Sequence, residues 1–184
     1  MDNGASSYRR FLLGEDSAFE DIIRDYKDGL MLYLNNYVKN IFIAEDLMQD
    51  TFVKLVTKRP RYSGRSSFKT WLYAIGRNTA LDYLRRRRPT VDVPVDELAM
   101  LASTEEVERD YLRDEDRCAL HRAMSTLKDE YRQILWLAYF EQLPLKECAS
   151  LMGRSVRATE TLVWRARQAL KAKLEEENFT YEGL

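Results

Sequence analysis

The apolar residues Phe19, Ile22, Ile23, Tyr26, Leu30, Tyr33, Leu34 and Tyr37 recur at steps of three and four. That is the period of a helix with a wide apolar face, and it excludes a strand, whose side chains alternate every second residue. Such a face has to be buried against other helices, so the chain is committed to a helical bundle early. A second helix is expected over 44–58, with Leu47, Met48, Phe52, Leu55 and Val56 inward. Glu45 and Asp46 then fall in its first turn, where the partly positive helix end favours acids, and Arg59-Pro60 stops it. Ser63-Gly64-Arg65-Ser66 is a turn, and Ser66 or Ser67 caps a third helix whose core face is Phe68, Leu72, Ile75 and Thr79.

After Arg88 the run PTVDVPVDELAMLAST has two prolines and no helical period, which marks a linker. A helix is expected to resume near Thr104, where STEE resembles a capping signature. Further helices follow over 119–127, 131–140, 145–152 and 155–174. No segment alternates like a strand, and 7 Gly and 4 Pro in 184 residues leave little turn-forming sequence. The expected fold is all-α: two small helical domains, 10–88 and 104–177, joined by a flexible acidic linker over 89–103.

The net charge of −1 hides a segregation. Between Lys54 and Arg88 the chain carries Lys54, Lys58, Arg59, Arg61, Arg65, Lys69, Arg77 and Arg85 to Arg88 against Asp82 alone. From Asp92 to Asp116 acids dominate, and Arg154, Arg157, Arg165, Arg167 and Lys171 make the chain basic again. Two basic blocks around an acidic one suggest two surfaces for nucleic acid joined by a segment that is not one.

Within LKECASLMGRSVRATETLVWRARQAL, Ala149 is small where two helices would cross, and Gly153 four residues on permits a left-handed turn. Cys148, Met152, Val156 and Leu162 are expected to form the shared core. This is helix-turn-helix spacing, which presents the start of the second helix to base edges; a plain helical hairpin with a solvated basic face fits the same pattern. In the first module Trp71, Asn78 and Arg85 recur every seven residues beside the core face. A ring to stack on a base, an amide for a base edge and a cation for a phosphate suit an unpaired strand. A tryptophan in core packing and a solvent-facing asparagine fit equally. Arg85 to Arg88 wrap the helix cylinder, so they supply phosphate attraction, or complement the negative helix end, rather than read sequence.

AEDLMQDTFVKLV, a short basic loop and SSFKTWLYAIGRNTALDYLRRRR, in that order, closely resemble region 2 of bacterial sigma factors of the extracytoplasmic-function group. LPLKECASLMGRSVRATETLVWRARQALKAKL resembles their region 4. The resemblance spans about residues 15–175. It implies a promoter-specificity subunit that binds core RNA polymerase at the β′ clamp helices and β flap, with Glu45, Asp46, Gln49, Asp50 and Phe52 on the clamp. The −10 element would be opened and a flipped base held by Tyr62, Ser63, Gly64, Arg65, Ser66, Ser67, Phe68, Lys69, Trp71, Arg77, Asn78 and Arg85. Arg154, Ser155, Arg157, Ala158, Glu160, Thr161, Trp164 and Arg165 would meet the −35 element. The linker's Asp92, Asp96 and Glu97 would lie in the path of nascent RNA. An anti-sigma partner, often membrane-anchored, is implied too, in a stress or envelope response. The chain departs from many relatives in the run Arg157 to Leu162 and in the bulk of Trp164, so the location of the −35 reader is better defined than the sequence it prefers.

No run approaches the roughly 20 apolar residues of a membrane span, and the N-terminus lacks a signal-peptide pattern; cytoplasm is the expected compartment. Cys118, Cys148 and the single His121 do not supply the four ligands of a structural zinc site. No nucleophile–base set, carboxylate pair or Gly-rich phosphate loop is present, so no catalysis, metal or cofactor is expected. A free-standing operator-binding regulator, a DNA-acting enzyme and a helical assembly protein are the competing readings. The first leaves AEDLMQDTF unexplained, the second lacks a catalytic cluster, and the third predicts normal promoter use without Trp71 and Asn78.

Overall fold

The computed structural model describes residues 3–87 and 115–176, apart from the side chains of 115–119 and 121. The chain divides into two compact units, Met1–Val93 and Pro94–Leu184. The fold is all-α, with no strand among the described residues. The expected linker, the helix expected from Thr104, Arg88 and the side chains of Cys118 and His121 lie outside them.

The first unit holds α1 (Asn3–Leu12), α2 (Ser17–Val38), α3 (Ile41–Lys58) and α4 (Phe68–Arg87). The apolar stripe does what its period requires. Ile22, Leu30, Tyr33 and Leu34 of α2 are buried against α1, α3 and α4, with Leu47, Phe52 and Leu55 of α3 and Phe68, Leu72 and Tyr73 of α4. Between α2 and α3 the backbone turns through left-handed Lys39, and the Asn40 side chain accepts the Ile43 N–H as a helix cap.

That cap corrects the expected start of α3, which begins at Ile41 rather than Ala44. Glu45 and Asp46 therefore lie beyond the first turn and take little benefit from the helix dipole. Val56 is another correction: it is 40% exposed rather than inward. At about 100° per residue it lies outside the arc on which Ala44, Thr51 and Leu55 are buried. Helix α1 was not expected at all. Its buried residues are Gly4, Ser7, Tyr8 and Phe11, a helical face half made of residues too small to register as apolar.

The second unit holds α5 (Glu115–Thr126), α6 (Asp129–Leu135), α7 (Leu145–Met152) and α8 (Val156–Glu176). Helix α6 runs on into one wide π turn, Trp136–Phe140, where a single helix over 131–140 was expected. In that turn the rings of Trp136 and Phe140 stack with centroids 4.5 Å apart, and Trp136 Nε1 donates to Glu141 Oε1 at 3.2 Å. Ile134, Leu135, Leu137, Cys148, Leu151, Leu162, Ala166, Leu170 and Leu174 form the core. Buried Arg132 is satisfied by Asp129 and the Ser125 carbonyl.

Candidate nucleic-acid interface

In the first unit the basic loop ends in a cap. Ser67 Oγ accepts the Thr70 N–H at 3.2 Å, which makes Ser67, not Ser66, the residue that starts α4. The Tyr62 hydroxyl donates to the Ser66 carbonyl at 2.6 Å and closes the loop on itself; Gly64, at φ 71, turns it. Ser63, Gly64 and Arg65 are exposed at its tip, whereas Tyr62, Ser66 and Ser67 are half-buried.

Behind the loop lies an aromatic cluster. The Trp71 ring packs on Tyr8 at 5.1 Å, Tyr62 at 5.2 Å and Phe68 at 5.4 Å between centroids. Trp71 keeps part of its surface in solvent, but Phe68 is fully buried beneath Tyr8, Tyr26 and Tyr62. Phe68 thus lies on the core face as its spacing predicts, and the strand contact that the resemblance implied for it is corrected to a support. Asn78 and Arg85 are exposed further along α4, Arg85 paired with Asp82 at 3.2 Å. Lys69 sits half-buried over the Tyr73 ring.

Arg77, also half-buried, lies beside the Tyr33–Tyr37 hydroxyl pair, whose oxygens are 2.9 Å apart. Burial pushes both phenols up from their ordinary value, and the nearby Arg77 charge works against that rise.

On α3, Glu45, Asp46, Gln49 and Asp50 are exposed, as a docking face requires. Phe52 is not: it is 6% exposed and edge-on to Phe19, inward as the helical period predicts, so only the clamp contact that the resemblance implied for it is corrected. The same exposed side carries Phe42, Val53 and Val56, apolar residues that sequence reasoning missed there. Their signal was available, since Phe42, Glu45, Gln49, Val53 and Val56 follow at steps of three and four.

In the second unit α7 ends at Gly153, φ 65, and Arg154 N–H reaches back to the Ala149 carbonyl at 3.0 Å, a left-handed helix stop. Ser155 Oγ accepts the Ala158 N–H and so begins α8. Ala149 is 3% exposed at the crossing, and the Cys148 thiol donates to the Leu143 carbonyl at 3.4 Å. Burial pushes that thiol up to about 11. Val156 is exposed instead of joining the shared core, while Cys148 and Leu162 are buried in it and Met152 lies at its edge.

All the residues expected at the −35 element (Arg154, Ser155, Arg157, Ala158, Glu160, Thr161, Trp164 and Arg165) are exposed on the turn and the first half of α8. Trp164 is 62% exposed, far from the usual state of tryptophan in a folded core. Among the described residues, no group of three or more His, Cys, Asp or Glu is placed to hold a metal ion, and no helix is long and apolar enough to cross a membrane.

Two helical units, one with an aromatic-backed basic loop and one with a capped helix-turn-helix, are the architecture of a two-domain DNA-binding protein. Residues 22–90 match the family model of Sigma-70 region 2, and residues 119–170 that of Sigma-70, region 4. The chain is 31% identical to the ECF RNA polymerase sigma factor SigM of Bacillus subtilis (strain 168) over 83% of its length and 93% of the relative's. It is 30% identical to RNA polymerase sigma factor YlaC of the same organism over 85% and 92%. A solved structure of the sigma factor RpoE with the anti-sigma factor NepR from Bartonella quintana has the same fold, with a TM-score of 0.63 at 20% identity, covering 85% of this chain and 96% of that one. The chain belongs to the sigma-70 family, as an RNA polymerase sigma factor of the extracytoplasmic-function type. Sigma factors are transcription initiation factors, not enzymes in themselves.

Proposed function

We propose that this sigma factor docks on core RNA polymerase through the exposed side of α3, opens the −10 element with the 62–67 loop and α4, and reads the −35 element with α8. The observation that carries the reading is the exposure pattern of two helices. On α4, Asn78 and Arg85 are exposed in line with a partly exposed Trp71, and on α8 the exposed set runs from Arg154 to Arg165. Glu45, Asp46, Gln49 and Asp50 meet the β′ clamp helices, with Phe42 and Val53 beside them as apolar contacts. The second unit adds contacts to the β flap.

In the −10 step Trp71 stacks on an unpaired base while Asn78 meets a base edge. Stacking is worth about 1–3 kcal/mol per base, which offsets part of the few kcal/mol that extruding a base costs. Arg65, Lys69, Arg77 and Arg85 neutralise phosphates. The acidic linker occupies the path of nascent RNA, between domains limited to 10–88 and 104–177, the first extended back to Asn3 by α1. An anti-sigma factor holds the chain inactive in the cytoplasm until a stress or envelope signal releases it. The support is the shared fold of a sigma factor that was solved with its anti-sigma partner.

The test is transcription by core polymerase from sheared genomic DNA with and without the chain. Starts that appear only with it and share two upstream elements are expected. A folded, inhibitor-free chain that neither binds core nor yields new starts overturns the reading.

A further inference from the structure

Helix α1 precedes the residues that the region 2 family model matches, 22–90, and its Tyr8 contacts both the start of the loop and α4. Tyr8 is 1% exposed. Its hydroxyl donates to the Pro60 carbonyl at 2.8 Å, just where the chain leaves α3 for the basic loop. Its ring packs on Trp71 at 5.1 Å and on Phe68 at 5.6 Å. One residue thus touches the start of the loop and the indole at its far side. Tyr62 completes the arrangement, since its ring lies 5.2 Å from Trp71 and its hydroxyl closes the loop at Ser66.

The seat of α1 is tight. A Cβ built on Gly4 would come within 2.4 Å of both Phe68 Cδ1 and the Tyr26 hydroxyl, so only glycine lets the helix lie this close to α4. The hydroxyl of Tyr8 stays a donor at every physiological pH, because burial pushes it up to about 12 against the pull of Arg59.

We propose that Tyr8 is a positioning residue for strand capture: its hydroxyl fixes Pro60, its ring backs Trp71, and together they set how the loop and the indole stand to each other when they receive an unpaired base. This rests on the reading that Trp71 and the 62–67 loop capture a −10 base. It adds that a helix outside the matched region sets the geometry of that capture. Tyr8 itself touches no DNA; a buried side chain acts only through what it holds.

The experiment uses the full chain assembled with core polymerase on a promoter mapped by its transcripts. Permanganate reactivity of unpaired thymines in the −10 element measures opening, and core association is measured in parallel. Tyr8→Phe keeps the ring and removes the hydroxyl; Tyr8→Leu removes both; each is combined with Trp71→Ala. Tyr8→Phe is expected to lower opening about fivefold, the ratio that one net hydrogen bond is worth, and Tyr8→Leu more. Core association is unchanged in both. In the Trp71→Ala background the Tyr8 substitutions add little further loss, because the element they position is gone.

Equal losses with and without Trp71 would show a general folding role and overturn the proposal. So would normal opening by Tyr8→Phe and Tyr8→Leu while Trp71→Ala is defective. If Trp71→Ala itself opens the promoter normally, the capture reading fails and the proposal falls with it, an outcome distinct from the other two.

Discussion

Arg154, on the turn of the helix-turn-helix, and Glu130, on α6, form an ion pair with Nη2 2.6 Å from Oε2. Both side chains are about two-fifths exposed, 41% and 43%, so the pair stabilises the fold by no more than about 1 kcal/mol. Its larger effect is on function, because a cation expected at DNA is held by a carboxylate of its own domain. Glu130→Gln should leave thermal stability almost unchanged. It should raise promoter affinity at low salt and steepen the fall of log K with log salt by up to about 0.9, the slope of one additional neutralised phosphate. Anisotropy titrations of holoenzyme on promoter DNA across a salt series check this. An unchanged slope would show that Arg154 does not meet a phosphate.

Gly153 tests the turn itself. Nothing lies within 4 Å of a Cβ built there, so Gly153→Ala meets no clash and its whole cost is the positive φ of 65°. A left-handed L-residue costs roughly 1–2 kcal/mol, which lowers the melting temperature of a domain of this size by about 4–8 °C per kcal/mol. Gly153→Asn, which tolerates this conformation better, should recover part of the loss. Equal melting of wild type and Gly153→Ala would contradict the left-handed stop.

The helix-turn-helix was legible in the sequence because its constraints are local. A small residue at the crossing and a glycine four positions later both act through neighbouring backbone. The stripe of α2 was legible because eight large side chains carry its period. Helix α1 was not, since its inner face includes Gly4 and Ser7, small residues that carry no apolar period, and the burial of Gly4 follows from how closely Phe68 and Tyr26 approach. The environment of Trp71 was hidden with it: a spacing of seven aligns Trp71 with Asn78, but only tertiary packing puts Tyr8 behind the indole. Val56 shows the same limit on α3. Which margin of an apolar arc faces inward is decided by the partner helices, not by the period.

Cys148 predicts a pH dependence. Its thiol is raised from the ordinary value near 9 to about 11 by burial, so the folded unit keeps a proton that the unfolded chain releases. Below pH 9 both states hold the proton and the stability is intact. Between 9 and 11 the unfolded state binds fewer protons, and stability falls as pH rises, by up to about 2–3 kcal/mol for a shift of this size. Urea unfolding at pH 8, 9 and 10 should show the decline, and Cys148→Ala, less stable at pH 8 for lack of the sulfur, should show a shallower one. Parallel curves for the two proteins would exclude the thiol as the cause.

The arginines at the end of α4 should set affinity without setting choice. Arg85, Arg86 and Arg87 are exposed and point around the helix, so they meet no common base edge. Replacing Arg85 to Arg88 with glutamine should weaken binding to all promoters alike and flatten the salt dependence, by about 0.9 in slope for each phosphate that is no longer neutralised. Selection of promoters from a randomised pool should return the wild-type elements. A changed −10 or −35 preference would assign these residues to direct readout instead.

Glu160 carries the sharpest specificity prediction. It is exposed on the side of α8 that carries Arg157 and Trp164, the side proposed to meet DNA, and a carboxylate there is repelled by every phosphate it approaches. Its presence is consistent with readout only if a donor on a base edge compensates, and in the major groove the cytosine N4 amino group is the donor matched to a carboxylate. A −35 position occupied by cytosine on one strand should therefore discriminate by about 1–3 kcal/mol in the wild type, and Glu160→Ala should flatten that position alone. Glu160→Ala should also bind mismatched promoters more tightly, because the repulsion is removed with the recognition. Transcription from a promoter library randomised at −35 reads both effects in one experiment. Retained preference at every position, with a uniform gain in affinity, would reduce Glu160 to a repulsive charge with no reading role.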